Sequence, residues 1–322
     1  MSIAFYDSEQ VERLLDYPGC IAAMREAMRG LSEAGKAQPL RQIIPISENA
    51  TMGLMPGDLP AIDRFGAKLL SIAKDPDRPG RSRHLGVVVS FSATTGELES
   101  LCDADAVTAI RTACATAAAT DALARSDARV LAVFGTGLQA ETHVRALRHV
   151  RSFDRVLLWG RSFDTAAALA RRLSTELGLS VDPVSDGRSA AEQADVICTV
   201  SGSAEPILLR AWVRDGTHVN LIGSSYLGPV EVDAALVAAS RYIADYRPGV
   251  LAQSAELAVA RAAGLVTDDH VVGEIGEVHA GTLIGRESAN QITIYKSLGH
   301  VVQDLAAAAY IHARATGRVS AA

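Results

Sequence analysis

The feature that most constrains this chain is a short apolar run, Val130–Phe134, that ends in Gly135-Thr136-Gly137-Leu138-Gln139-Ala140. The spacing is G-x-G-x-x-A. Gly135 permits a tight turn, Gly137 removes a side chain where a phosphate must approach the backbone, and Ala140 lets the next helix pack on the strand. The amide groups at such a helix start face an anion. Alone, the pattern is weak. Here it follows a strand and opens a helix, and the chain downstream keeps alternating: RVLLWG at 155–160, an Ala-rich helix after Asp164, DVICTV at 195–200 and THVNLIG at 217–223. That alternation predicts βαβ units, a parallel sheet and helices on both faces. The expected fold class is therefore α/β, a Rossmann-type doubly wound parallel sheet that holds a dinucleotide.

Upstream the pattern differs. Asp7 caps a first helix, with Gln10 reaching back, and Pro18 interrupts it. A second helix runs through Met24 and Met28 and stops near Gly35. Strand-like runs follow at 42–46 (QIIPI), 65–72 (FGAKLLSI) and 85–92 (LGVVVSFS). The turn Thr94-Thr95-Gly96 then leads into LESLC as a hairpin, and an Ala-rich helix extends from Asp103 to about Ala124. Late in the chain ITIYK reads as a strand, followed by an apolar helix from Ser297 to about Ala315. A length of 322 residues suggests two domains. The expected division is a Rossmann domain over 119–300 and a second, α+β domain over 1–118, completed by 301–322. The stretch AKDPDRPGRSR at about 73–83 is expected to be an exposed loop.

Composition narrows the function classes. A net charge of −6 gives no basic footprint for nucleic acid, and 5% aromatic residues leave little for base stacking. The N-terminal MSIAFYDSEQ has no basic segment leading into an apolar run, and no apolar stretch is long enough to span a bilayer. Cys20, Cys102, Cys114 and Cys198 lack metal or redox spacing, so four reduced, mostly buried thiols in a cytoplasmic protein are expected. His84, His218 and His300 likewise show no metal-ligand spacing, so no metal site is expected.

The strand after the glycine turn bears on cofactor choice. NAD-specific sites usually place Asp or Glu at its end, on the ribose hydroxyls. Here the strand ends in Gly160-Arg161-Ser162 and the first carboxylate is Asp164. Arg161 can pair with a 2′-phosphate and Ser162 can donate to it, so NADP(H) is favoured over NAD(H).

Two residues stand out in apolar surroundings: Lys68 in FGAKLLSI, on the face of Gly66 and Leu70, and Arg111 in VTAIRTACATAAA. Singly, each reads as an edge or solvated charge. Together with other segments they carry a resemblance. Arg41 in QPLR, GLMPG at 53–57, FGAKLLS, TTGE at 94–97, VTAIRTACATA at 107–117, VFGTGLQA at 133–140, LLWGRS at 157–162, DVICTV, HVNLIGS, GEIGEV at 273–278 and ITIYKSLG at 292–299 resemble the ornithine cyclodeaminase/μ-crystallin family, in its order and over nearly the whole chain. The resemblance implies a homodimer whose non-Rossmann domain supplies the dimer interface and part of the substrate site, with an NAD(P)-dependent active site between the domains. It implies that Arg41 and Arg111 hold a substrate carboxylate and that Lys68 sits near the reacting nitrogen or the carboxylate, where it can exchange protons. It also implies that Thr112, Thr136, Leu138, Gln139, Thr199, Val200 and Ser224 line the cofactor.

Two departures shape the expected reaction. Cyclodeaminases carry G-x-D after the HVNLIG strand; this chain has Gly223-Ser224-Ser225, and serine takes no proton at neutral pH without a base. The acid that ornithine-specific members carry before LMP is Gly53 here. Ser225 is thus expected at the substrate, with Tyr226 filling space beside it. The expected function is reduction of a small α-imino acid by NAD(P)H, or the reverse amino-acid dehydrogenation, with Lys68 as catalytic acid or base. The alternatives are an ornithine or lysine cyclodeaminase using bound NAD, an opine-like dehydrogenase, and a μ-crystallin-type NADPH-dependent binder of small molecules. His84 reads as structural or as a substrate contact, and Asp304 as a helix-surface residue or one near the active site.

Overall fold

Local sequence signals place the first helices. Asp7 accepts from the Gln10 amide while Gln10 returns a bond to the Asp7 amide, a capping box. Asp16 caps the second helix with Pro18 in its first turn, and Gly35 ends it in the left-handed conformation at φ 59°. A computed structural model of the chain describes residues 3–48, 50–73 and 85–318. His84 and almost all of the expected 73–83 loop lie outside the described residues. The chain divides into two units, Met1–Ala115 with His300–Ala322, and Thr116–Gly299.

The first unit contains β1 (Ala4–Tyr6), α1 (Ser8–Leu14), α2 (Tyr17–Ala34), β2 (Gln42–Ser47), β3 (Ala50–Leu59), β4 (Arg64–Ala73), β5 (Leu85–Ser92) and β6 (Leu98–Asp103). The helix α3 (Ala104–Leu123) begins in this unit and continues into the next. The sheet order is β1-β6-β5-β4-β3-β2. All pairs are antiparallel except β1 with β6. The last helix, α11 (Val301–Ala315), lies across β3–β6 and packs against α2. Two glycines make room for it. A Cβ on Gly57 would collide with Val301, and one on Gly66 would meet the Val89 carbonyl oxygen and press on Leu305. Met55, Val301 and Leu305 form a small apolar cluster at this contact.

The second unit continues with β7 (Val130–Phe134), α4 (Leu138–Leu147), β8 (Arg155–Trp159), α5 (Phe163–Leu177), β9 (Val181–Val184), α6 (Gly187–Gln193) and β10 (Val196–Thr199). It is completed by β11 (His218–Leu221), α7 (Ala234–Ala238), β12 (Arg241–Ala244), α8 (Arg247–Gln253), α9 (Ala255–Ala262), β13 (Val271–Glu274), α10 (Ile275–Ala280) and β14 (Thr293–Lys296). Its eight strands run in the order β13-β12-β14-β11-β10-β7-β8-β9, every pair parallel. The chain adds β8 and β9 outward from β7, then returns to lay β10 on the other flank. This reversal of order is where open α/β sheets bind ligands, outside the carboxyl ends of the strands. The central strand β7 is apolar, as burial on both faces requires: Leu131, Ala132, Val133 and Phe134 are all fully buried.

The expected α/β class with a second sheet domain is the observed one. Several elements differ from expectation. The last helix starts at Val301, not Ser297, because residues 297–299 form an irregular segment held by Asp245. β3 was not anticipated: Gly53, Pro56 and Gly57 argue against a strand locally, yet pairing to β2 and β4 on either side imposes one. Short β9, β12 and β13 were not anticipated either: Pro183, Arg241 and Gly273 break the apolar run in each.

Candidate active site

A cluster of charge is buried within the first unit. On β4 the alternation that turns Gly66 toward α11 also turns Lys68 toward it, so the lysine is not an edge residue but is 2% exposed. Its Nζ donates to Asp304 Oδ1 at 3.1 Å and to Thr108 Oγ1 at 3.3 Å. Arg111 lies one turn beyond Thr108 on α3 and is equally buried. Its Nε donates to the same Asp304 oxygen at 2.9 Å and its Nη1 to Gln303 Oε1 at 2.6 Å. Asp304 is therefore not on a helix surface. It sits near the amino end of α11, where the helix dipole favours a carboxylate, and it fixes both cations. Its second oxygen is buried and has no hydrogen-bond partner among the described residues.

The electrostatics follow from this arrangement. Burial, then the neighbouring Arg111 charge, pushes the Lys68 ammonium down to about 7; Asp304 opposes the shift, and Arg41 adds to it. Arg41 itself is half-buried, just before β2. It acts on the same centre electrostatically, on Lys68 and on His300 alike. His300 is the N-cap of α11 through Nδ1, a structural role, and burial lowers its pKa to about 4. Two arginines and a titrating lysine against one carboxylate leave a positive surplus, suited to an anionic substrate group. Lysine has three donors, and the two acceptors found among the described residues take two of them.

In the second unit the glycine turn has the geometry a dinucleotide phosphate needs. Gly135 sits at φ 148°, and a Cβ there would come within 2.8 Å of Val200 Cγ2. Gly137 is the N-cap of α4, and nothing lies within 4 Å of where its Cβ would be, so open space meets the helix start. Leu138 beside it is 55% exposed although apolar, and Ala140 is fully buried against the sheet. Gly160 leaves room for Thr136, since a Cβ would meet the threonine methyl at 2.6 Å. The Gln139 Oε1 has no partner among the described residues. Arg161 and Ser162 are exposed at the end of β8, where Ser162 Oγ caps α5 by accepting from the Thr165 amide. The open helix start and the unpartnered Gln139 oxygen fit a nicotinamide dinucleotide.

The remaining expected residues are distributed as follows. Thr199 and Ser224 are fully buried at the ends of β10 and β11, and Val200 packs on Gly135. Thr112 lies on α3 next to Arg111, in the first unit, on the helical face of Thr108. Ser225 is half-buried, and Tyr226 is 56% exposed with its ring beside Gly228. His218 is a core residue that bonds Thr293 and Asn220. All four cysteines are free and buried. Sequence reasoning missed Gln303, Thr108, Glu231, Glu256 and Lys296. A readable signal existed for some of them: Gln303-Asp304 interrupts an otherwise apolar helix, and Lys296 ends an apolar strand.

A family model described as the ornithine cyclodeaminase/mu-crystallin family matches residues 2–318. The chain belongs to that family. It is 27% identical over 313 residues to a Delta(1)-pyrroline-2-carboxylate reductase of Bacillus cereus, covering 97% of this chain and 96% of that one. To the ketimine reductase mu-crystallin of Mus musculus it is 30% identical over 315 residues, covering 96% of each. Among solved structures it resembles Thermococcus litoralis Delta(1)-pyrroline-2-carboxylate reductase in complex with NADH and L-proline. The TM-score is 0.92, at 28% identity over 98% of each chain. The expected reaction class, C=N reduction, is the one these relatives' names carry. No described helix is long and apolar enough to cross a membrane.

Proposed function

We propose that this member of the family reduces the C=N bond of a small α-imino acid with a nicotinamide dinucleotide. The observation that carries the reading is the buried Lys68–Asp304–Arg111 cluster, in which a lysine poised near neutrality stands beside a fixed guanidinium. Arg41 and Arg111 would bind the substrate carboxylate, the planar fork suiting two oxygens. Lys68 would deliver a proton to the reacting nitrogen in reduction and take one in the reverse direction, since a pKa of about 7 leaves both forms populated. Asp304 and Thr108 hold that amine in place, and Gln303 and Asp304 orient the arginine.

When bound, the nicotinamide supplies the hydride. Gly135, Thr136, Gly137, Leu138, Gln139 and Ala140 would hold its pyrophosphate, and Gly160, Arg161 and Ser162 its adenosine end. Thr112, Thr199, Val200 and Ser224 would line the rest. We favour NADP(H), because exposed Arg161 stands at the end of β8 and no carboxylate follows until Asp164 in α5. Titration with NADH beside NADPH tests this choice, since the Thermococcus litoralis reductase is in complex with NADH. Ser225, standing where cyclodeaminases have an acid, would contact substrate without acting as base.

In this reading the first unit serves substrate binding and dimerisation and the second serves the dinucleotide. A homodimer is supported by the outermost strand β2, which exposes Ile43 (55%) and Ile46 (61%). Four buried free thiols suit the cytoplasm. The test is oxidation of NADPH and NADH by purified protein with Δ1-pyrroline-2-carboxylate, Δ1-piperideine-2-carboxylate and 2-oxo acids plus amines. Turnover of one imine class with no ammonia release from ornithine supports the proposal. Ammonia release from ornithine with no imine reduction overturns it.

A further inference from the structure

A second buried network, unconnected with Lys68, lies in the Rossmann unit at the carboxyl ends of β10, β11 and β14. Glu231 is fully buried and its carboxylate accepts four hydrogen bonds. Oε1 takes the Ser201 amide at 2.7 Å and the Ser201 hydroxyl at 2.8 Å. Oε2 takes the Gly223 amide at 2.9 Å and the Thr199 hydroxyl at 2.8 Å. One side chain thus ties the segment after β10 to the segment after β11. Gly223 is glycine for the same reason, since a Cβ there would collide with the Ser201 carbonyl oxygen and come within 2.5 Å of Glu231 Oε1.

The next residue is held from another side. Lys296, fully buried at the end of β14, donates from Nζ to the Ser224 carbonyl at 2.6 Å and pairs with buried Glu256 at 3.0 Å. With its backbone so fixed, Ser224 keeps a buried hydroxyl that has no partner among the described residues. Buried polar atoms are normally satisfied, so an orphan at the ligand edge of a parallel sheet points to a missing partner.

We propose that Glu231 is a positioning residue for the dinucleotide: it clamps the post-β10 and post-β11 segments, and Lys296 completes the clamp, so that the Ser224 hydroxyl is presented to the cofactor. This rests on the dinucleotide-dependent reading above. The chemistry demands a carboxylate and not its amide. Each oxygen accepts from a backbone N–H, so Glu231→Gln must turn an NH2 group against one of two fixed donors. Burial pushes the Glu231 carboxyl up from its ordinary value, and the Ser201 and Thr199 donors and Lys296 oppose that shift.

The experiment is titration of wild type, Glu231→Gln and Ser201→Ala with NADH and NADPH, read by cofactor fluorescence, together with KM for cofactor and for imino acid. Losing a hydrogen bond to a charged group corresponds to about tenfold to a hundredfold, so Glu231→Gln is expected to weaken cofactor binding by that factor. KM for the imino acid should stay within about twofold of wild type, the margin left by an untouched carboxylate site. Ser201→Ala, which keeps the carboxylate, should show a smaller loss of the same kind, and it carries the test if Glu231→Gln does not fold. Ile243→Val, a core truncation on β12, serves as the control: it lowers the melting temperature without changing cofactor affinity. Wild-type binding with unaltered affinity in folded Glu231→Gln, or in Ser201→Ala where Glu231→Gln does not fold, overturns the clamp alone. Absence of binding by wild type overturns the dinucleotide reading and the clamp together.

Discussion

Asp304→Asn is the most informative single substitution in this chain. The amide is isosteric and its oxygen can still accept from Lys68 and Arg111, so the geometry survives while the negative charge is lost. In the wild type, burial and Arg111 depress the Lys68 pKa to about 7 against the opposing pull of Asp304. A charge pair 3.1 Å apart interacts by roughly 5 kcal/mol at an effective dielectric of about 20, an upper figure because Arg111 shares the carboxylate. An opposite charge at this range typically moves a pKa by about 1–3 units. Lys68 should therefore titrate at roughly 4–6 in the variant, and its protonated fraction at pH 7 should fall from about one half to about one tenth or less. The assay is kcat/KM for imine reduction across pH 5–9, which reports the free enzyme's acid. The wild-type profile should fall above a pKa of about 7. The Asp304→Asn enzyme should still be gaining activity toward pH 5, where wild type has levelled. A folded, cofactor-binding variant whose limb stays at the wild-type position would refute the assignment of that limb to Lys68.

Lys68→Ala should lower turnover by about a hundredfold or more, the usual contribution of a positioned acid, with dinucleotide binding intact in a titration. Gly137→Ala should fold normally, because its φ of −89° and the open space suit alanine, yet bind dinucleotide about tenfold more weakly or worse. Gly135→Ala should instead lower the melting temperature, since its Cβ meets Val200 at a left-handed φ. Stability should fall in acid. Burial depresses His218 to about 3, His143 to about 4 and His300 to about 4, each below the ordinary 6.5, so the unfolded chain binds more protons below about pH 6.5. The unfolding free energy from urea titrations should therefore drop between pH 6 and 4, by up to about 4 kcal/mol per pH unit for three such groups. Lys68 acts with the same sign higher up: its depressed pKa makes stability rise between about pH 7 and 10.5.

Much of the dinucleotide unit was legible in the chain because each of its signals is local. Gly135, Gly137 and Ala140 have roles fixed by neighbours within a turn, and the strands β7, β8 and β10 stand out because burial on both faces favours an apolar run. β3 was illegible for the opposite reason: Gly53, Pro56 and Gly57 argue against a strand locally, and the element that Gly57 makes room for, α11, arrives from more than two hundred residues downstream. The substrate residues divide in the same way. Arg41, Lys68 and Arg111 were recognisable as a set only through the family's motifs, because a lone cation in an apolar run has a surface reading until its partner is known.

By itself the sequence determined the alternation of strands and helices downstream of Val130, the glycine turn, and the types of charged residue available to a site. Tertiary structure alone decided what those charges do. Asp304 is separated from Lys68 by 236 positions and from Arg111 by 193, yet one oxygen binds both. Glu231 likewise acquires its role only when β10 and β11 lie side by side and bring two backbone amides to one carboxylate. The physical reason is common to both. A buried charge is tolerable only with partners, and those partners are brought within hydrogen-bond distance by the packing of distant elements, which no local pattern records.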